Sequence, residues 1–134
     1  TMPHAGSVLL AVPDFDQHTL GATLFAGQLR AQGVDVTLAL HMPASRIVQT
    51  ASAQDYDAIL ISSSRSETLA SLAQVVQKLR IVSTSTPIIL GGNVLEQSTD
   101  VLTRTGADFT ANCWQDIESI LMPAQKHVGQ SGRE

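Results

Sequence analysis

The chain has 134 residues, 43% hydrophobic but only 15% charged and 4% aromatic, with a formal net charge of −4 and one cysteine. That length suits one domain able to bury its own core, and a negative chain without a basic run excludes binding nucleic acid through its phosphates. No apolar stretch approaches the roughly 18 residues of a membrane span, and the lone Cys113 excludes an internal disulfide framework. A cytoplasmic domain is expected, resting through its Ser-, Thr- and Gln-rich surface on neighbouring domains of a longer chain.

Residues 1–6 have no period and are expected to be a linker or the remnant of one. The domain itself is expected over residues 7–122, with 123–134 as a flexible tail or linker. Ser7 to Val12 is an apolar run of the kind that forms a strand buried on both faces. Leu20, Leu24, Ala26, Leu29 and Ala31 then recur at helical spacing up to the stop at Gly33. A second strand is expected from Val34 to Leu40, interrupted by His41-Met42-Pro43. A short helix follows, from Ala44 or Ser45 to about Ser52, with Ile47 and Val48 inward.

Asp57 to Ile61 reads as the third strand and ends in Ser62-Ser63-Ser64. Leu69, Leu72, Val75, Val76 and Leu79 make the clearest amphipathic helix, which Ser66 and Glu67 can cap. Pro87 to Leu90 is a fourth strand closed by Gly91-Gly92, and Val94 to Thr103 a helix stopped near Gly106. Ala107 to Ala111 is a weak edge strand, and Asp116 to Met122 the last helix, ended at Pro123. Five β-α units with short connections imply a flavodoxin-like α/β fold, a Rossmann-like parallel sheet of order 2-1-3-4-5 with helices on both faces.

In such a sheet, ligands meet the loops at the carboxyl ends of the strands. Here those loops carry Asp14, Asp16, His18, His41, Met42, Ser62 to Ser64, Arg65, Gly91, Gly92, Asn93, Cys113 and Trp114. A carboxylate two residues before an imidazole can hold the Nδ1 proton and leave Nε2 free as a metal ligand. Asp16 can do this for His18, or simply cap the helix that begins near Leu20. Gly21 is a poor helix former that either clears room for a bulky group or eases a tight turn. The three serines are either a plain turn or hydrogen-bond donors to a ligand, and Gly91-Gly92 either a tight turn or clearance for a flat group. Cys113 reads as a structural thiol, or as a redox group if its thiolate is exposed near the helix N-terminus that follows.

Taken together, Asp16-x-His18-x-x-Gly21, Ser63 after 41 intervening residues, and Gly91-Gly92 25 residues after Arg65 resemble the signature of the cobalamin (B12)-binding domain family. The resemblance spans essentially Ser7 to Met122. It implies that His18 ligates a metal from below and Asp16 orients it. It also implies that Ser63 bonds the benzimidazole of the cofactor's displaced tail, which Gly91-Gly92 leave room for. His41 is the alternative ligand. The wording around His18 and the run Leu60-Ile61-Ser62-Ser63-Ser64-Arg65-Ser66 resemble the regulatory branch, including the sensor variant that contains heme in place of cobalamin in AppA-like photosynthesis-gene antirepressors of purple bacteria. Arg65 departs from the small or apolar residue of the family and sets a cation at the mouth of the tail slot.

A phospho-acceptor receiver would need an aspartate where Ser62-Ser63 stand, and a flavodoxin would set its flavin phosphate beside Asp14 and Asp16. No nucleophile-base pair supports an enzyme. The expected role is a non-enzymatic sensor domain of a transcriptional regulator or antirepressor. It would bind heme or cobalamin and signal through contacts with a repressor or other regulatory protein, without touching nucleic acid or membrane. The alternatives are a cobalamin carrier for a methyltransferase or mutase, and a degenerate interaction platform. The latter is favoured by Arg65 and by the lack, ahead of Ser7, of the helical bundle that covers the corrin in cobalamin regulators.

Overall fold

The computed structural model describes residues 5–65 and 68–122. Its centre is β1 (Ser7–Pro13), because Val8 to Val12 carry no polar side chain and each is fully buried. On one side lies β2 (Asp35–Met42); on the other follow β3 (Ala58–Ser62), β4 (Ile88–Gly91) and the two-residue edge β5 (Phe109–Thr110). All pairs are parallel and the order is β2-β1-β3-β4-β5, the flavodoxin-like order the β-α alternation predicts.

Period-two alternation splits the core into two layers. Val8, Leu10 and Val12 face α1 (Leu20–Ala31) and α6 (Trp114–Leu121). Leu9 and Ala11 face α2 (Ala44–Ser52), α3 (Leu69–Val82) and the short pair α4 (Val94–Gln97) and α5 (Val101–Thr105). The five apolar positions read as the face of α3 are its five buried residues. Ser66 and Glu67, expected to cap α3, lie outside the described residues, as do Pro123 and the tail.

Three expectations need correction. The buried face of α1 is Ala22, Ala26 and Leu29, whereas Leu20 and Leu24 are 72% and 60% exposed. Small residues let the helix lie close on the sheet, and the leucines turn outward. His41 does not end β2: it is an extra residue with φ 54°, so that Val12 pairs with Leu40 and Pro13 with Met42. This bulge re-aims the strand end. Finally, the helix expected from Val94 to Thr103 is broken. Ser98 is extended and Asp100 left-handed (φ 57°), in a run of short polar side chains that compete for backbone hydrogen bonds.

Candidate functional site

β1 hands over to α1 through a turn in which Asp16 N–H donates to Pro13 O at 3.0 Å. This swings the Asp16 carboxylate inward, where the residue is only 1% exposed. A buried carboxylate needs donors, and two loops supply them. The His18 N–H reaches Oδ1 at 2.9 Å, the Ser64 N–H reaches Oδ2 at 2.6 Å, and the Ser64 hydroxyl is 3.0 Å from both oxygens. Burial alone would raise the Asp16 carboxyl, but these donors outweigh it and hold it below its ordinary value. Asp16 is therefore an acceptor only. It does not cap α1, whose N-cap is Thr19 without a side-chain cap bond.

His18 Nδ1 lies 3.1 Å from Asp16 Oδ1 and 2.9 Å from Ser64 Oγ. Facing an ionised acceptor, Nδ1 of the neutral ring carries the proton, and Nε2 is the unprotonated nitrogen. With its side chain 68% exposed, His18 is an oriented imidazole on the surface. The third member, Ser64, was only one of a serine run in the sequence. No periodicity marks it, because its partner stands 48 positions away.

His18 stands at a cleft of about 990 Å³ whose floor reaches Leu10 and Leu60 and whose walls include α1, Ser62 to Ser64, Gly91-Gly92 and Asn112. Leu24, Phe25 and Gln28 on α1 line it as well; of these the sequence marks only Leu24, as part of a helical stripe. The outward turn of Leu20 and Leu24 thus gives the cleft an apolar wall. Gly21 lies on this wall, and a Cβ built there would meet nothing within 4 Å. Its φ is not in the left-handed region, so what glycine gains at this position is open space. Gly92 is different. With φ +94°, a Cβ there would run into Ser63 O and lie 3.0 Å from Ser62 Oγ; at Gly91 it would lie 3.1 Å from Ala111 O.

Ser63 is 2% exposed and its hydroxyl pairs with Thr68 Oγ1 at 2.8 Å. Asp14, His41, Arg65, Cys113 and Trp114 do not line the cleft, so the alternative ligand His41 stands apart from His18's pocket. Arg65 is exposed and its carbonyl accepts from Thr68. Cys113 is exposed at the N-cap of α6. Among the described residues no group of three or more His, Cys, Asp or Glu side chains could hold a metal ion. The donor set fits one axial nitrogen offered to a metal that brings its other ligands with it.

Fold and site together define an open parallel-sheet domain with a cleft at its carboxyl rim. Residues 6–113 match the family model of the B12 binding domain, and the chain belongs to that family. It is 32% identical over 110 residues to an uncharacterized 20.5 kDa protein of the bchF–crtJ intergenic region of Rhodobacter capsulatus, covering 81% of this chain and 57% of that protein. The chain thus spans little more than half the length of this relative. In fold it is similar to a cobalamin-binding protein from Desulfitobacterium hafniense (TM-score 0.75, 22% identity, 87% of this chain and 58% of that one). It is also similar to the Methanosarcina barkeri monomethylamine corrinoid protein (TM-score 0.72, 19% identity, 90% and 58%). The receiver domain of a Pseudomonas aeruginosa sensor histidine kinase shares the fold less closely (TM-score 0.62, 20% identity, 88% and 95%). No helix among the described residues is long and apolar enough to cross a membrane.

Proposed function

We propose that this domain binds cobalamin in a regulatory, non-enzymatic role, and that His18 would hold its metal. The observation that carries the reading is the oriented imidazole at the edge of a deep cleft: Asp16 and Ser64 hold His18 Nδ1, and the cleft beneath runs down to Leu10 and Leu60. Bound cobalamin supplies a cobalt ion in a corrin ring together with a nucleotide tail. The cleft beside His18 offers such an appendage a place among Leu10, Leu60 and the serines. Asp16 fixes the tautomer, Gly21 leaves clearance, and Leu20, Leu24 and Phe25 offer an apolar wall.

A sensor role is supported by the relative named for its place between bchF and crtJ, in keeping with the resemblance to photosynthesis-gene antirepressors. In this reading, cobalamin-bound and free forms differ in affinity for a repressor or other regulatory protein. Likeness to a corrinoid protein keeps the carrier role as a second reading, in which a catalytic partner uses the bound cofactor.

Absorption titration tests the binding. Hydroxocobalamin added to the chain is expected to shift its spectrum, and the shift is expected to vanish in His18→Ala. A Soret shift with added heme, lost in the same variant, would make this the heme-containing sensor variant instead. No change with either ligand overturns tetrapyrrole binding and leaves the degenerate platform. A cobalamin-dependent change in affinity for the repressor would separate the sensor from the carrier.

A further inference from the structure

We propose that Ser62, and not the motif serine Ser63, donates the hydrogen bond to the acceptor group of a ligand in the cleft. The argument is a count of hydroxyl hydrogens. Thr68 Oγ1 donates to Arg65 O at 2.5 Å, which uses its one hydrogen. The 2.8 Å contact between Ser63 Oγ and Thr68 Oγ1 then has only one possible donor, Ser63. Ser63 is buried and reached from the cleft, but what it turns toward the cleft is lone pairs.

Ser62 lines the same cleft, is partly exposed, and makes no side-chain hydrogen bond among the described residues. Its strand partner is Gly91, and a Cβ on Gly92 would stand 3.0 Å from its hydroxyl oxygen. Gly92 therefore keeps the Ser62 hydroxyl uncovered. Its hydrogen is free for a ligand acceptor such as a ring nitrogen of a nucleotide base. Thr68, which does not line the cleft, acts as a positioning residue by committing Ser63's hydrogen elsewhere.

This assignment rests on the cobalamin-binding reading and says which side chain recognises the tail. It is tested by spectral titration of the whole chain with hydroxocobalamin and with cobinamide, a corrinoid that lacks the nucleotide tail. Ser62→Ala is expected to weaken hydroxocobalamin by about fivefold to tenfold, the size of one net hydrogen bond, and to leave cobinamide unchanged. Ser63→Ala is expected to leave the ratio of the two affinities near that of the parent chain. Thr68→Val frees the Ser63 hydrogen and is expected to raise the ratio, and to restore it when combined with Ser62→Ala. Cobinamide binding reports that each variant is folded. A ratio lost in Ser63→Ala and kept in Ser62→Ala overturns the assignment, as does a parent chain that binds both corrinoids equally well. A parent chain that binds neither overturns the cobalamin reading along with it.

Discussion

At the amino rim of the sheet, Asp57 Oδ2 accepts the N–H of Ser7 at 2.8 Å and Asp108 Oδ2 that of Ile88 at 2.9 Å, where two strands begin. Asp108 also pairs with Arg80 at 2.7 Å, and both partners are partly exposed. At the carboxyl rim Asp16 likewise accepts backbone N–H groups, from His18 and Ser64, but it is buried and one of its oxygens also holds an imidazole. The amino-rim carboxylates act as staples whose bonds end within the scaffold. The carboxyl-rim carboxylate orients an exposed side chain. The same residue type becomes structural or functional according to burial and to what stands next to it.

The comparison can be broken most strongly at Asp16. Asp16→Ala strands two backbone donors and a hydroxyl in a buried place and is expected to cost about 2–3 kcal/mol, read by urea denaturation, and to abolish the His18-dependent cobalamin spectrum. Gly92→Ala is next. A side chain at φ +94° that meets Ser63 O is expected to cost about 1–3 kcal/mol and to weaken ligand binding. Asp108→Ala, at the other rim, is expected to cost about 1 kcal/mol and to leave cobalamin titration unchanged. An Asp108 variant that altered the spectrum would erase the distinction between the rims.

A pH series sharpens it. Because the Asp16 carboxyl is lowered in the folded chain, its contribution is fully present above the ordinary value of 3.8 and is lost as pH falls through the lowered folded value. Stability of the parent chain is expected to drop across that acid range more steeply than that of Asp16→Asn, which has nothing to titrate. The smallest effect is expected at Gly21. With nothing near its missing Cβ, Gly21→Ala is expected to stabilise α1 by about 0.5–1 kcal/mol, while Gly21→Leu intrudes on the cleft and weakens cobalamin binding. A Gly21→Leu variant that binds as well as the parent would show that the open space is not used.

Much of the fold is legible in the sequence. The apolar runs, the helical period of α3 and the β-α alternation set the elements and their order, because the alternation of strands and the turn of a helix are properties of neighbouring residues. The spacing of Asp16, His18, Gly21, Ser63 and Gly91-Gly92 named the family for the same reason: strand and loop lengths count out along the chain. Less legible was how long an element runs. His41 continues β2 by a left-handed step, and Ser98 to Asp100 split a helix, since short polar residues and bulges answer to their surroundings as much as to their own preference.

Which way a side chain is used was left to the tertiary structure. Leu20 and Leu24 look like a core stripe by period, yet α1 settles on Ala22, Ala26 and Leu29 because small residues let it approach the sheet, and the leucines become the wall of a cleft. Ser64 holds Asp16 and His18, Ser63 gives its hydrogen to Thr68, and Ser62 keeps its own. Three identical residues in a row carry no sign of that division of labour. Hydrogen bonds are directional and short, so it is decided only when loops distant in sequence are folded within 3 Å of one another.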